Sequence, residues 1–350
     1  MIRVASFNCE NLFSRPKIFE TSRSKSEKLL GWVDELNQEL SKDTFDQNKI
    51  KDLKSKLKYY VTVNDIRGKH TRVQGVNEWL GWISFKRKPA NEAAIHNIGK
   101  VLHAVDADIV ALIEVENRPL LQDFHDEFLW KRFFNKKSNK EYGEIFLIDG
   151  NDNRGIDVAV MSRKPINYLK SHINDRTTYD GKKVRTFSRD CLQVGVQASP
   201  SEEIHLLINH FKSMGYSPSN DPQSEKRRWG QSKRVVEIVN TFDLDNEYVI
   251  VAGDLNSAPD KWSIEPLSKH NKLYNANLEI PYNQRGTYRY NTGRNQLDYL
   301  WLSNALKSKL SKFHIERRGT YTARGPNFPT VTGRVNEASD HAAIYADFNI

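Results

Sequence analysis

Cysteine is scarce in this chain, and long apolar runs are missing. Of 350 residues only Cys9 and Cys191 are cysteines, which excludes a disulfide scaffold. Both fall in strand-like segments, so two buried thiols in a reducing cytosol are expected. No apolar run approaches the roughly 20 residues that a membrane helix needs. The sequence opens directly on the strand-like IRVASFN, with no charged-then-apolar leader, so a cytoplasmic protein without a membrane span is expected. Zinc-type clusters of Cys and His are missing, as are internal repeats and low-complexity tracts.

Basic residues, in contrast, are in excess. Lys and Arg number 53 against 44 Asp and Glu, a formal charge of +9 with an isoelectric point near 9.3. That balance favours an anionic partner, nucleic acid or a phospholipid surface. With 38% hydrophobic residues over this length, the chain can bury a large core, as one big domain or one domain plus an insertion.

The stretch that organises the rest is VIVAGDLNSAP, residues 249–259. Tyr248 to Ala252 reads as a buried strand, Gly253 ends it, and Leu255 faces back to the core. Strand alternation predicts that Asp254 and Asn256 project to one side. There the acid can orient or deprotonate a water while the neutral amide holds an oxyanion. For these residues alone, an Asx-rich turn is an equal reading.

Other polar groups stand at strand ends. The first strand closes on Asn8, an amide oxygen suited to a hard metal ion, with Glu10 two residues on. Residues 14–90 are rich in Lys and Ser and carry Trp32, Trp79 and Trp82. QNKIKDLKSKLKYY (47–60) within them spaces Ile50, Leu53, Leu57 and Tyr60 as on a helix, so a largely helical insertion is expected, its lysines forming a solvated face. NEAAIHNIGKVLHAV (91–105) predicts an amphipathic helix capped by Asn91. The strand IVALIEVEN follows and ends its apolar run at Glu114. A carboxylate there is costly unless it is solvated, paired or bound to a cation.

Residues 120–134 read as a Phe/Trp-rich helix. RGIDVAVMSRKP (154–165) is a strand carrying Asp157, and TFSRDCLQVGVQA (186–198) a strand with Arg189 near its start. EIHLLINHFKS (203–213) delivers His210 and then Lys212. A polar surface loop spans 214–226, and a helix with a basic start covers 225–241. NQRGTYRYNTGRN (283–295) is a basic, aromatic stretch that suits phosphate and base contacts as well as it suits an ordinary loop. QLDYLWLS (296–303) brings Asp298, and ASDHAAIYADF (338–348) brings Asp340 and His341 before the closing strand.

Taken in order, SFNCENLF, IVALIEVEN, RGIDVAVMSR, INHFKS, VAGDLNSAP, QLDYLWLS and SDHAAI resemble the endonuclease/exonuclease/phosphatase superfamily, in its deoxyribonuclease-like branch. The resemblance spans nearly all the chain except 14–90. It implies a single domain over 1–350 with that insertion, built as a four-layer α/β sandwich: two mostly antiparallel sheets face to face, helices outside. It implies Glu114 as the main metal carboxylate, with Asn8 and Asp340 at the cation site and Glu10 reaching it through water. Asp254 and Asn256 would hold the attacking water and the phosphate. His341, oriented by Asp298, would contact phosphate. His210 would be a second catalytic histidine with Asp157 as its carboxylate partner. Arg189, with Lys212 nearby, would bind a phosphate oxygen. Ile113 departs from the Gln that many relatives carry before the metal carboxylate.

The chemistry points the same way. Phosphodiester hydrolysis needs charge stabilised on the phosphoryl group, which Mg²⁺, with Mn²⁺ or Ca²⁺ as substitutes, does with few protein ligands. Histidines beside carboxylates can exchange protons near neutral pH. The expectation is a divalent-metal-dependent phosphodiesterase, a nuclease acting on DNA. The alternative is a phosphatase or phosphodiesterase on phospholipid or inositol-phosphate headgroups, against which no apolar membrane-dipping hairpin is evident. A non-enzymatic nucleic-acid-binding relative is a third reading, opposed by the complete residue set.

Overall fold

A computed structural model of the chain describes all residues except 13, 43, 45, 66–80, 90, 153, 215–219 and 290–294. Trp79, part of the loop expected at 214–226 and part of the Arg/Tyr stretch therefore lie outside the described residues. The chain divides into two compact units, Met1–Phe13 with Asn91–Ile350, and Ser14–Ala90.

Apolar β-branched runs in the larger unit form two six-stranded sheets. One has the spatial order Leu310–Glu316, Ala343–Phe348, Ile2–Leu12, Ile109–Val115, Asp157–Ser162, Glu144–Leu147. The other runs Leu273–Asn275, Asp298–Ser303, Tyr248–Asp254, Glu202–His210, Cys191–Ser199, Ile166–Lys170. Each is antiparallel except for one central parallel pair: Ile2–Leu12 beside Ile109–Val115, and Glu202–His210 beside Tyr248–Asp254.

Alternation along these strands sorts the core into layers. Val4, Ile109, Ala111, Val158 and Val160 of the first sheet meet Val194, Leu206, Ile208, Ile250 and Leu300 of the second. On the first sheet's outer face, Phe7, Val110 and Leu112 pack on Ile98, Val101 and Leu102 of the helix Glu92–Val105. On the second, Leu207, Val249 and Val251 pack on Val235, Ile238 and Val239 of the helix Glu225–Val239. Each fully buried Leu, Ile or Val side chain contributes roughly 1.5–3 kcal/mol over exposure. Helix, sheet, sheet, helix is the expected four-layer sandwich.

Local signals match the structure where periodicity is strong. Asn91 caps its helix by accepting from Ala93 N at 2.9 Å. The expected helix at 120–134 is instead an α-helix, Arg118–Asp123, running into a π-helix, Phe124–Phe133. The strand expected from 186 begins only at Cys191, so Arg189 sits in the turn before it. Cys9 and Cys191 are free and buried.

In the smaller unit, the helices Arg23–Leu40 and Gln47–Leu57 pair, burying Leu29, Val33, Leu36, Ile50, Leu53 and Leu57. Short strands, Val61–Asp65 with Gly81–Phe85 and Ser14–Pro16 with Arg87–Pro89, complete it. Among the described residues no helix is long and apolar enough to cross a membrane.

Candidate active site

Sheet register brings together residues that are far apart in sequence. In the second sheet His210 pairs with Asp254 across a parallel ladder, and Asp254 with Asp298 across an antiparallel one. Three neighbouring strands thus end in one polar row. Gly253 makes this approach possible: its φ is +129°, and a Cβ there would lie 1.9 Å from the Asn209 carbonyl oxygen. Only glycine fits both demands.

The first sheet contributes through bulges. Between Asn8 and Leu12, and again between Ile113 and Val115, the strand register shifts. Glu10 and Glu114 occupy those irregularities with φ of 48° and 64°. A bulge re-aims a side chain that regular alternation would send elsewhere. Here it turns Glu114 out of an otherwise fully apolar strand.

The two sheets then touch through polar atoms. Asn8 Nδ2 donates to Asp254 Oδ2 at 3.1 Å, and Asn8 Oδ1 accepts from Glu10 N at 3.1 Å. His210 Nε2 lies 3.7 Å from both Glu114 Oε1 and Asp254 Oδ2. His341 Nδ1 is 2.8 Å from Asp298 Oδ2, and its Nε2 is 3.8 Å from Asp254 Oδ2. Glu10 Oε2 accepts from Asp340 N at 3.2 Å. Asn8, Glu10, Glu114, His210, Asp254, Asn256, Asp298, Asp340 and His341 are therefore one constellation.

Strand alternation does not explain Asn256. Its φ is 49°, so it lies in a turn. Its N–H donates to Asp254 Oδ1 at 2.8 Å, and its Nδ2 to Asp254 Oδ2 at 3.2 Å and the Phe211 carbonyl at 3.2 Å. The Asx turn, read as an alternative to a site, is the device that places the amide beside the acid.

The expected pairing of Asp157 with His210 is not formed. Asp157 Oδ1 accepts from Gly150 N at 2.9 Å, while His210 Nδ1 has no hydrogen-bond partner among the described residues. Asp157 stands at the edge of the cluster, its pKa pushed up to about 7 chiefly by burial.

Arg189 is buried behind the carboxylates. Its Nε is 3.0 Å from Asp152 Oδ2, and its Nη1 donates to the Phe211 carbonyl at 3.2 Å. Asp152 and Arg154, whose Nε donates to Asp152 Oδ1 at 2.6 Å, went unnoticed in the sequence. So did Arg228, buried and donating Nη1 to the Lys212 carbonyl at 3.1 Å. Arg289, in the Arg/Tyr stretch, pairs through Nη2 with Asp340 Oδ2 at 3.0 Å. The Tyr288 ring stands 5.0 Å from His341. Only the basic start of 225–241 and the Arg/Tyr stretch offered signals for any of these.

Burial and neighbours drive the titrating groups apart. His210 is held well below the ordinary imidazole value by burial, then by Arg189 and Arg154, and so is neutral near pH 7. Burial opposes charge on His341 too, but Asp298 and Asp254 overcome it and raise it well above the ordinary value. Asp254 is itself pushed up, by burial first, with Asp298 adding repulsion. Glu114 is raised by burial, an effect Arg189 opposes and Asp340 reinforces. Burial, then Arg189 and Arg154, push Lys212 down to about 7. Paired groups displaced in opposite directions are what acid and base chemistry at one site requires.

Two donor sets fit a cation differently. Asp254, Asp298 and His341 place one ligand atom each within 4.8 Å of one another. However, His341 Nδ1 and Asp298 Oδ2 are already committed to each other. Glu114, Asp340, Glu10 and Asn8 supply oxygen atoms alone, and burial penalises the Glu114 charge. Oxygen donors are the type a hard divalent ion prefers, although among the described residues Glu114, Asp340 and Glu10 do not converge as closely as the first set.

Two facing sheets thus bring acids, amides and two histidines together at their converging strand ends. A model of the Endonuclease/Exonuclease/phosphatase family matches residues 74–341, and the chain belongs to that family, whose hydrolytic enzymes act on phosphodiester bonds and depend on divalent metal. The endonuclease/exonuclease/phosphatase from Bacteroides vulgatus is similar over 100% of this chain and 98% of its own, at 10% identity and a TM-score of 0.51. The human Nocturnin catalytic domain matches 74% of this chain and 86% of its own, at 15% identity and a TM-score of 0.48. Truncated Caenorhabditis elegans TDP2 matches 73% and 89%, at 18% identity and 0.46. No curated protein matches the sequence.

Proposed function

We propose that the chain is a Mg²⁺-dependent nuclease that hydrolyses DNA by in-line attack of water on a backbone phosphate. The observation that carries this reading is the meeting of Glu114, His210, Asp254 and His341, with His210 driven towards its neutral form and His341 towards its cationic one. The +9 charge and the arginines around the site favour a polyanionic substrate.

In this reading Glu114 and Asp340 hold the metal, with Asn8 and Glu10 bordering it. The ion, once bound, neutralises developing charge on the phosphoryl oxygens. Asp254, its Oδ2 steadied by Asn8 and Asn256, orients the attacking water and takes its proton, which its raised pKa favours. By giving up its 3.2 Å hydrogen bond to the Phe211 carbonyl, the Asn256 amide would donate to a phosphate oxygen while its other hydrogen keeps Asp254 Oδ2 in place. His341 presents Nε2–H to the phosphate while Asp298 fixes Nδ1. His210 enters neutral, able to take up a proton beside Asp254. Arg189, buried behind the carboxylates, and Lys212 would add positive charge towards the phosphate, and Asp157 supports the cluster through Gly150.

The test is incubation of supercoiled plasmid and of single-stranded DNA with Mg²⁺ or Mn²⁺, with and without chelator. Cleavage that chelator abolishes is expected. DNA left intact under every condition overturns the proposal, and hydrolysis of a soluble phosphate ester in the same preparation would transfer the site to that substrate class.

A further inference from the structure

Beyond the catalytic carboxylates, the larger unit has a pocket of about 200 Å³ lined by Thr177, Thr178, Tyr179, Lys226, Trp229 and Trp262, among others. It lies between the hairpin Arg176–Tyr179 with Lys182–Arg185, the first turns of the helix Glu225–Val239, and the turn carrying Trp262. Trp229 is 37% and Trp262 41% exposed. Indoles are usually better covered, so two exposed together on one pocket mark a recognition surface. Their ring centroids are 6.5 Å apart and the planes are tilted by 36°, a wedge.

The wedge is held in place. Trp262 Nε1 donates to Glu225 Oε2 at 2.7 Å, which fixes its plane. Lys233 Nζ lies 5.6 Å from the Trp229 centroid, and Arg227 Cζ 5.6 Å from the Tyr179 centroid. Lys226 and Lys261 reach Asp180 and Glu225 only loosely, at 3.8 Å each, with side chains about half exposed. Four cations surround the aromatic rings against three carboxylates: these two and Asp221, which accepts from the Tyr179 hydroxyl at 3.0 Å. Flat aromatic faces with cations beside them are how proteins bind unpaired bases and the phosphates that join them.

The pocket is tied to the catalytic centre from two sides. Arg228, next to Trp229, turns inward to the Lys212 carbonyl, and Gln231 Oε1 accepts from Lys212 N at 2.9 Å. Trp262 follows Asn256 closely in sequence, and the Ser257 and Ser263 hydroxyls share a 2.6 Å hydrogen bond that folds this turn back. A volume of 200 Å³ falls below the roughly 300 Å³ at which small-molecule sites begin. It suits one ring rather than a whole nucleotide.

We propose that the Trp229–Trp262 pocket is a stacking subsite for one unpaired nucleobase of a single-stranded nucleic acid whose backbone runs on to the catalytic carboxylates. This rests on the nuclease reading. A base enclosed in a duplex offers no open face, so the subsite selects single strands or frayed ends. The Thr177 side chain faces Gly230 on the pocket wall, and its single hydroxyl, able to donate or accept, makes the preference among bases mild.

The experiment is a fluorescence-anisotropy titration of the full chain, with Mg²⁺ present, against two labelled phosphorothioate strands. One strand carries bases; the other has the same backbone with abasic sugars. The wild-type protein should bind the base-bearing strand on the order of tenfold more tightly. Trp229→Ala and Trp262→Ala should each remove most of that difference while leaving affinity for the abasic strand alone. Trp229→Tyr should keep it, because a ring remains. Equal losses on both strands, or none, overturn the subsite while sparing the nuclease reading. Failure of the wild-type protein to bind either strand overturns both.

Discussion

Replacing Asp298 with Asn tests whether His341 must be held as a cation. The carboxylate is fully buried, and its Oδ2 lies 2.8 Å from His341 Nδ1. The second support for that imidazole is Asp254 Oδ2, 3.8 Å from Nε2. At an effective dielectric near 20, opposite charges about 4 Å apart attract by about 4 kcal/mol. An Asn oxygen in the same place keeps about 1 kcal/mol as a neutral hydrogen bond. About 3 kcal/mol of support for the imidazolium is therefore lost, on the order of a hundredfold in kcat. Asp298 Oδ1 has no hydrogen-bond partner among the described residues, so an Asn amide turned that way leaves a buried donor unsatisfied. That should cost about 1–2 kcal/mol of stability, or a fall of a few degrees in Tm. Initial rates on DNA across pH 5–9, with a melting curve for each protein, read both quantities. A variant that melts a few degrees lower yet cleaves at the wild-type rate would refute the role assigned to the pair.

Further outcomes follow from other groups. Glu114 has its pKa raised by burial, so its ionised form is penalised and the penalty grows as pH climbs past the ordinary carboxylate range. Glu114→Gln should therefore raise Tm in chelator at pH 7, abolish the further rise that Mg²⁺ gives the wild-type protein, and end cleavage; a metal-induced Tm shift equal to wild type would count against Glu114 as a ligand. Lys212 is held at about 7, below its ordinary 10.5, so its charged form is penalised below pH 7 and the penalty fades as pH rises to 10. Lys212→Met should stabilise the protein at pH 7 by on the order of 2 kcal/mol, flatten the rise of Tm with pH, and weaken substrate binding. Gly253→Ala puts a Cβ 1.9 Å from the Asn209 carbonyl oxygen at a φ of +129°. A loss of more than about 3 kcal/mol is expected, seen as a strongly lowered Tm or failure to accumulate folded protein.

Strong periodicity was legible because it is local. The apolar runs ending at Asn8, Glu114, His210 and Asp254 announced strands, and Asn91 announced a helix start, since alternation and capping depend on neighbouring residues alone. The order of the motifs then implied the sandwich. Less legible was whatever depended on departures from regularity. Alternation sent Asn256 to the side of Asp254 for the wrong reason, because the residue lies in a left-handed turn. The π-helix at Phe124–Phe133 has no separate periodic signature.

What the sequence determined by itself was the inventory and the layers: which segments are apolar enough to be buried, and which polar groups stand where they emerge. Tertiary structure decided partners that the residues themselves leave open. The resemblance implied His341 with Asp298, which lie 2.8 Å apart, but it also implied Asp157 with His210, which do not pair, because hydrogen bonds form between atoms brought close by register, and register depends on every strand in the sheet. Tertiary structure also aimed Glu10 and Glu114 through two bulges and turned Arg228 inward beside two exposed indoles. Side-chain direction at a bulge or a helix start is set by packing against elements that lie far away in the chain.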